Sequence, residues 1–348
     1  MSLHSNCPAL LANVWRGETV ESRHYGALAV VDRSGNVQFA LGDIDTPTFF
    51  RSSAKPFQAV PLLTSKAAEH FGLSPEEIAI ACGSHLGQPR HTDTVRGLLQ
   101  KLGLPASALQ CGCHPPYDPR LAADQESRGT PADVLQNNCS GKHAGMLAVA
   151  LQLNAPTATY FERGHPVQRR ILETIALFSG QPAARIITAV DGCGVPTYAL
   201  PVRSMAQMFA RLVNPPEDFP AAVRAAAGTL VTAMTTHPEM VAGNGELDTE
   251  LMRLARGNVV AKIGAEGIFA CGVRPSSRWP EGFGLAFKID DGSARPRSAI
   301  ALGVLRQLDV ISDANLLALE PLARPTIKNH RRETVGHIEA TVTIATRR

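Results

Sequence analysis

The sequence has no large excess of charge of one sign and no long hydrophobic run. It carries 34 Lys and Arg residues against 31 Asp and Glu residues, a net charge of +3. That charge is too small to indicate a nucleic-acid or anionic-membrane partner. The sequence contains no run of about 18 apolar residues, the length needed to span a bilayer. The N-terminus lacks a basic segment followed by an apolar core, so we expect no signal peptide and a cytoplasmic protein.

The chain also lacks internal repeats, a low-complexity linker and a regular alternation of strands and helices. Strand patterns lie towards both ends, for example "YGALAVVD" and "VQFALG" early and "NVVAKIG", "IFACGV" and "GFGLAFKID" late. Helical patterns fill the middle, where residues 111–131 are expected to form a loop and "RIITAV" a short buried strand. We predict an α+β fold in a single catalytic domain, residues 1–348. Its antiparallel sheet is built from N- and C-terminal strands, and a helical block, roughly residues 57–256, is inserted between them.

Seven cysteines occur without an export signal, which favours free thiols or metal ligands over a disulfide framework. The stretch "NNCSGKHAGM" contains Cys139, Lys142 and His143, and "DGCGVP" contains Asp191 and Cys193. Both stretches lie at glycine-rich bends, where side chains can converge. Thiolates combined with a nitrogen or oxygen donor suit zinc. The alternative is a pair of buried, reduced cysteines.

A second cysteine cluster, Cys111, Cys113 and His114, lies in a proline-rich segment. Its ligands are too close together along the chain for an ordinary zinc site. We interpret this cluster as a structural or surface feature.

The stretch "RSSAKPFQA" places Ser52 three residues before Lys55 at a predicted helix start. A serine hydroxyl is a poor nucleophile unless a base is positioned beside it, and residues three apart share a helix face. Lysine acts as a base only when it is neutral, so burial or a nearby cation must lower its pKa from about 10.4. The alternative is a capping serine and a solvated lysine, because the spacing alone is weak support for catalysis.

Two further stretches resemble motifs of the penicillin-recognising acyl enzymes. "ACGSHLGQPRHT" contains Ser84, and "VVAKIGAEG" places Lys262 on a late strand. Here the late motif is Lys-Ile-Gly, which lacks the hydroxyl those enzymes use. The nearest middle motif, which begins at Ser140, is also irregular. Both differences argue against a β-lactam as the natural substrate.

Several long motifs occur together in order: "RSSAKPFQA", "CGSHLGQPRHT", "CGCHPPYD", "NNCSGKHAGMLA" and "DGCGVPTYALP". In this combination the chain resembles the L-asparaginase II family of the Rhizobium etli type. The resemblance implies hydrolysis of L-asparagine to L-aspartate and ammonia, on a fold similar to the serine β-lactamases and glutaminases. It also implies a homodimer.

The resemblance further implies roles for individual residues. Two serine–lysine pairs are expected to be catalytic, Ser52 with Lys55 and Ser84 with Lys262. Zinc is expected near the substrate. The implied zinc ligands are Cys139, Lys142 and Cys193, and the implied residues around the substrate are His143 and Asp191. From its position beside Ser52, we add Arg51 as the candidate clamp for a substrate carboxylate.

Two other functions remain open at this point. One is a serine–lysine amidohydrolase that acts on glutamine or another peptide-like amide. The other is a zinc-binding protein on the same scaffold without catalytic activity. Release of ammonia from asparagine and glutamine, measured side by side, separates these possibilities.

Overall fold

Strands lie near both ends of the chain and helices fill its middle in the computed structural model, which describes residues 7–344. The strands are β1 (Ala9–Arg16), β2 (Thr19–Val31), β3 (Val37–Leu41), β4 (Pro47–Phe49), β5 (Ile187–Val190), β6 (Pro196–Pro201), β7 (Val259–Ile263), β8 (Ile268–Val273), β9 (Phe283–Ile289), β10 (Thr326–Lys328) and β11 (Thr334–Ala340).

Most of the helices are concentrated between the early and late strands. They are α1 (Lys55–Thr64), α2 (Ala67–His70), α3 (Pro75–Ala81), α4 (Pro89–Lys101), α5 (Pro119–Ser127), α6 (Ser140–Gln152), α7 (Pro166–Ser179), α8 (Val202–Val213), α9 (Ala221–Thr236), α10 (Pro238–Val241), α11 (Leu247–Leu254), α12 (Arg297–Gln307), α13 (Asp313–Ala318) and α14 (Glu320–Ala323).

These elements form two compact units. One, the sheet unit, contains the described residues up to Ser53, then Leu200–Asn214, then the described residues from Leu254 onward. The other, the helical unit, contains Ala54–Ala199 and Pro215–Arg253. The predicted insert of residues 57–256 therefore differs from the helical unit at α8, which belongs to the sheet unit.

The sheet unit is built on one antiparallel sheet. Its strand order is β10-β11-β1-β2-β9-β8-β7, and β3 also pairs with β2. The early strands β1 and β2 thus lie side by side between late strands within one hydrogen-bonded sheet. The predicted α+β class, with an antiparallel sheet built from both ends of the chain, is confirmed.

The two faces of this sheet carry different side chains because neighbouring residues of a strand point to opposite sides. Small residues form one face, where Gly272 and Gly284 let α8 approach. A Cβ atom on Gly284 would overlap the carbonyl oxygen of Ala206 in α8. The other face carries bulky residues such as the stacked pair Phe269 and Phe287, and α12 packs on this side.

The helical unit is organised around α1, which packs against α6, α7 and α9. Residues Lys55–Leu62 of α1 are all buried, as is typical of a helix surrounded by others. Phe178 of α7 contacts both Phe57 and Phe219, with ring centroids 5.2 Å apart in each pair. In this unit β5 pairs antiparallel with β6.

Two local predictions were wrong. The expected loop at residues 111–131 contains α5, which starts with Asp118 as its N-cap and Pro119 in its first turn. The strand predicted as buried, β5, exposes 56% of Ile187 and 77% of Val190. A run of apolar residues therefore does not distinguish a buried strand from one at the surface.

Candidate active site

Two adjacent serines in the sheet unit have different environments. Ser52 and Ser53 lie in a 3-10 turn, Arg51–Ala54, that leads directly into α1. Ser53 is buried, and its hydroxyl donates a hydrogen bond of 2.7 Å to the carbonyl oxygen of Lys262. Ser52 is half-buried. The Ser53 hydroxyl is therefore committed to a structural hydrogen bond, which leaves Ser52 as the candidate nucleophile of the pair.

The turn that carries Ser52 is strained and tightly packed. Arg51 has a φ of +50°, in the left-handed region that residues with a Cβ rarely adopt. Such a conformation costs on the order of 1–3 kcal/mol and is often found at functional sites. Gly264, which follows β7, fits against this turn, since a Cβ there would lie 2.9 Å from the carbonyl oxygen of Phe50.

Lys262 occupies the strand against which this turn is fastened. It lies on β7 opposite Ala270 of β8, and its side chain is fully buried. Its Nζ donates to the carbonyl oxygen of Ile263 at 3.2 Å. The sheet unit therefore holds Arg51, Ser52 and Lys262 in one rigidly built region.

In the helical unit, Lys55 is fully buried at the start of α1. Its Nζ lies 2.5 Å from the carbonyl oxygen of Gly83, 2.8 Å from Ser84 Oγ and 3.3 Å from the carbonyl oxygen of Asn138. A neutral amine has two N–H donors and one lone pair. As an ammonium, Lys55 donates to all three oxygen atoms, and as a neutral amine it would donate to the two carbonyls and accept from the Ser84 hydroxyl. The surroundings of Lys55 can thus accommodate its neutral form.

A second cluster forms where α6 begins. Cys139 is the N-cap of α6, and Lys142 lies three residues later on the same face of that helix. The Nζ atom of Lys142 lies 2.9 Å from Cys193 Sγ. All three side chains are buried. The structure therefore brings together the three residues expected to bind zinc.

The charges in this cluster depend on one another. A hydrogen bond from Cys193 and the nearby ammonium of Lys142 hold the pKa of Cys139 well below its usual range, although burial opposes this. Burial alone would lower the pKa of Lys142, but the sulfur atoms of Cys139 and Cys193 raise it. The carboxylate of Asp191 acts in the same direction. These directions favour a thiolate on Cys139, a thiol on Cys193 and an ammonium on Lys142, all three buried.

The donor atoms fit zinc in their chemistry. Thiolate sulfur and an amine nitrogen are ligands for a borderline-soft cation, and a set of three protein donors leaves one position open. Within residues 7–344, no three His, Cys, Asp or Glu side chains are placed to hold a metal ion. A zinc ion here would therefore need Lys142 as its third protein ligand, in addition to Cys139 and Cys193.

The competing cluster at residues 111–114 has its polar groups engaged elsewhere. His114 uses Nδ1 with the carbonyl oxygen of Pro115 at 2.6 Å, and its Nε2 accepts from the backbone N–H of Asn138 at 3.1 Å. Burial raises the pKa of Cys111 to about 12, and Cys113 is exposed. This loop supports Asn138, which precedes Cys139, and its geometry favours the structural interpretation.

His85 and Ser140 also have structural partners. His85 Nε2 lies 2.9 Å from Ser140 Oγ, and the Ser140 hydroxyl donates to the carbonyl oxygen of Leu135 at 2.9 Å. The backbone N–H of Gly87 donates to His85 Nδ1. Ser140, the nearest match to the middle motif of penicillin-recognising enzymes, is therefore committed to a buried structural network.

His143 and Asp191 lie beside the thiol cluster. His143 is one residue after Lys142, and burial, followed by the charges of Lys142 and Lys55, lowers its pKa. Its Nδ1 lies 2.6 Å from the hydroxyl of Tyr160. Asp191 precedes Cys193 in a tight turn closed by hydrogen bonds between its backbone and that of Val195 and Gly194.

The predicted site residues are thus distributed over both units. The sheet unit carries Arg51, Ser52 and Lys262, and the helical unit carries Lys55, Ser84, Cys139, Lys142, His143, Asp191 and Cys193. Within the helical unit, Ser84 contacts Lys55. The pairing of Ser84 with Lys262 would join the two units, and it stays a prediction. Sequence reasoning missed Ser53 and Tyr160, because neither lies in a motif whose spacing indicates its partner.

Comparison with known families gives this arrangement a context. The family model described as L-asparaginase II matches residues 12–340, nearly the whole chain. The chain belongs to the L-asparaginase II family. The family expected from the sequence motifs is confirmed, and with it the coarser assignment as an amidohydrolase.

Solved structures similar to this L-asparaginase II chain include glutaminases and the protein Mglu, all at low sequence identity. One is a probable glutaminase from Bacillus subtilis complexed with 6-diazo-5-oxo-L-norleucine, at 12% identity, with a TM-score of 0.41, covering 84% of this chain and 87% of that one. Another is the protein Mglu, at 17% identity, with a TM-score of 0.43, covering 84% of this chain and 69% of that one.

A third is the Bacillus subtilis glutaminase YbgJ in covalent complex with 5-oxo-L-norleucine, at 12% identity, with a TM-score of 0.35, covering 76% of this chain and 80% of that one. A search of curated proteins found no match to this L-asparaginase II chain. Among residues 7–344, no helix combines the length and apolar character needed to cross a membrane.

Proposed function

We propose that this protein hydrolyses L-asparagine to L-aspartate and ammonia, with Ser52 as the nucleophile and Lys55 as its base. The observation that supports this most directly is the environment of Lys55. Lys55 lies three residues after Ser52 in the sequence. Its amine is buried and hydrogen-bonded to two carbonyl oxygens and to the Ser84 hydroxyl. Family membership supports the reaction class, hydrolysis of an amide.

The reaction begins with attack of Ser52 Oγ on the side-chain amide carbon of asparagine. The hydroxyl proton passes to the neutral amine of Lys55, directly or across Ser84 Oγ, since these two atoms are 2.8 Å apart. The resulting tetrahedral oxyanion needs hydrogen-bond donors, and losing one such donor typically costs about 100- to 1,000-fold in rate. Backbone N–H groups at the start of the helix are the candidates for this task.

The intermediate then collapses and the carbon–nitrogen bond breaks. The Lys55 ammonium gives its proton to the departing nitrogen, so ammonia leaves and a β-aspartyl ester remains on Ser52. Water attacks this ester while Lys55 takes up its proton. As the bond between the acyl carbon and Ser52 Oγ breaks, the Lys55 ammonium returns that proton to Oγ, and L-aspartate leaves. Covalent catalysis of this kind divides one difficult step into two easier ones.

The remaining residues hold the substrate. Arg51 is placed beside Ser52 and can pair with a substrate carboxylate. Asp191 can pair with the α-amino group, and His143 can donate a hydrogen bond. Cys139, Lys142 and Cys193 would hold zinc, which supplies a Lewis acid to position an amino or carboxylate group of the substrate.

The compartment and the oligomeric state are further parts of this proposal. We infer a cytoplasmic homodimer that takes a small-molecule substrate and binds neither nucleic acid nor membrane. Analytical ultracentrifugation of the purified protein tests the dimer, and fractionation of the source cells tests the compartment.

Ammonia release from L-asparagine and L-glutamine, measured side by side, tests the proposed activity. We expect faster release from asparagine, with Ser52→Ala lowering turnover at least 1,000-fold while the melting temperature stays unchanged. Ser53→Ala is the matched control. It should retain part of the turnover but lose about 1 kcal/mol of stability, because it removes one buried hydrogen bond.

Each alternative has a distinct outcome in this assay. Faster ammonia release from glutamine would show that glutamine, and not asparagine, is the preferred substrate. No ammonia release from either amide at stoichiometric protein would indicate a non-catalytic zinc-binding protein. A Ser52→Ala variant that keeps more than a tenth of the wild-type turnover would exclude Ser52 as the nucleophile. Ser84 would then become the better candidate.

A further inference from the structure

His143 has one ring nitrogen engaged and the other without a partner. It lies four residues after Cys139, so both side chains share one face of α6. The ring is fully buried. Its Nδ1 lies 2.6 Å from the hydroxyl of Tyr160, whereas within residues 7–344 its Nε2 has no hydrogen-bond partner.

The hydrogen bonds of Tyr160 decide which ring nitrogen of His143 carries the proton. The hydroxyl oxygen of Tyr160 accepts a hydrogen bond of 2.8 Å from the backbone N–H of Gln110. The single hydroxyl proton then has one acceptor in reach, His143 Nδ1. If Nδ1 carried the ring proton instead, the Tyr160 O–H would be buried without an acceptor, at a cost of about 1–3 kcal/mol. The neutral ring therefore carries its proton on Nε2.

A doubly protonated ring leads to the same result at Nε2. Both ring nitrogens are then donors, with Nδ1–H pointing at the tyrosine oxygen. In each of these states Nε2 is a buried N–H donor. The inference therefore does not depend on the charge of His143.

Tyr160 is itself held in place from two sides. Gln168 Nε2 donates to its backbone carbonyl oxygen at 2.9 Å, in addition to the bond from Gln110 to its hydroxyl. Its ring packs edge-on against His143, with centroids 5.5 Å apart and an angle of 82° between the planes. Such fixed contacts set both the orientation and the tautomer of the histidine.

Nearby histidines show the contrast. Both ring nitrogens of His85 are bonded, to Ser140 and to the backbone of Gly87. Both nitrogens of His91 are bonded as well, to the backbone of Gln88 and Glu239. These two rings are satisfied within the fold, whereas His143 presents an unused donor on the face of α6 that carries Cys139.

A buried polar group without a partner requires an explanation, and a bound ligand is one. We infer that Tyr160 is a positioning residue that fixes His143 as an Nε2–H donor to an oxygen atom of the bound amino acid. Only the identity of that amino acid rests on the proposed function. The tautomer follows from the hydrogen bonds alone.

Nitrogen-15 NMR of protein labelled at histidine tests the tautomer without any enzyme assay. The His143 signals, assigned by their loss in His143→Gln, should show an unprotonated Nδ1 and a protonated Nε2. In Tyr160→Phe this preference should disappear, while the His85 signals stay unchanged and serve as the internal control. An unprotonated Nε2 in the wild type would overturn the inference. This wild-type result decides the question even if Tyr160→Phe does not fold.

Calorimetric titration with L-aspartate tests the role in binding. Tyr160→Phe should weaken binding about tenfold or more, because the donor to a charged oxygen is no longer fixed. Tyr25→Phe, on the exposed part of β2, is the matched control and should bind as the wild type does. Unchanged affinity in Tyr160→Phe, or no binding to the wild type, would overturn the assigned ligand contact. If the protein lacked asparaginase activity, the NMR result on the His143 tautomer would still stand. The two experiments therefore distinguish a failure of the proposed function from a failure of the inferred tautomer.

Discussion

At the scale of single residues, neighbouring side chains of the same type have different roles. Ser52 and Ser53 are adjacent, yet only Ser53 is tied to the backbone of β7. Spacing to Lys55 predicts Ser52 as the nucleophile, and the hydrogen bond of Ser53 to β7 accounts for the other serine. The role of Ser53 could not be predicted, because its partner, Lys262, is 209 residues away in the sequence.

The cysteines divide in the same way and lead to a prediction about metal binding. Cys139→Ala or Cys193→Ala should lower the zinc content per chain and weaken zinc affinity by at least about 10- to 100-fold. Each should also raise the asparagine concentration needed for half-maximal rate. Cys113→Ala, an exposed cysteine in the competing cluster, is the matched control and should keep its zinc. Full zinc occupancy in both Cys139→Ala and Cys193→Ala, measured by elemental analysis, would show that the metal binds elsewhere.

At the scale of elements, α8 shows how far sequence patterns reach. Helical patterns were predicted for the middle of the chain, where α8 lies, but they do not indicate the unit to which α8 belongs. What decides this is a pair of glycines, Gly272 and Gly284, which face each other on the neighbouring strands β8 and β9 and together form a shallow surface for α8. Glycines in a strand pattern suggest a close approach, yet the approaching element cannot be identified without the fold.

This packing can be tested with one disruptive and one stabilising glycine substitution. Gly284→Ala should lower the free energy of unfolding by several kcal/mol, since its methyl group would overlap the backbone of α8. Gly228→Ala, at an exposed position inside α9 with open space around it, should raise it by about 0.5–1 kcal/mol. Denaturant unfolding of both variants measures these changes. A Gly284→Ala protein as stable as the wild type would contradict the described packing.

At the scale of the whole molecule, the α+β class and the order of strands and helices followed from the sequence. Apolar periodicity and turn residues act locally, so they indicate elements well. The strand β1 was missed because "ALLANVWR" does not alternate cleanly. The partners of buried polar groups, such as Tyr160 with His143, depend on contacts that bring distant segments together, and local patterns do not encode these.

The buried histidines make the stability of the molecule depend on pH. Burial, with the charges of His91 and Lys55, holds the pKa of His85 well below its usual range, and burial also lowers the pKa of His91. Below about pH 6.5 the unfolded chain therefore binds protons that the folded chain does not, and stability falls as pH falls. A histidine that stays neutral in the fold down to pH 5 contributes about 2 kcal/mol to this loss.

Melting temperature measured between pH 7 and pH 5 tests this dependence. We expect a decrease on acidification, with a shallower slope in His85→Gln and an unchanged slope in His330→Gln, which alters an exposed position. A melting temperature that stays constant or rises on acidification would show that these rings do not resist protonation in the folded state.

Labelling of the nucleophile tests the central claim, that Ser52 attacks the side-chain amide of asparagine. The diazoketone analogue of L-asparagine carries its reactive diazoketone in place of the side-chain amide. It therefore alkylates the nucleophile that attacks at the position of that amide. Peptide mapping by mass spectrometry should show one label per chain on the peptide that contains Ser52. Ser52→Ala should remain unlabelled, and Ser53→Ala should be labelled. A label on Ser84, Cys139 or Cys193, or full labelling of Ser52→Ala, would contradict the assignment of Ser52 as the nucleophile.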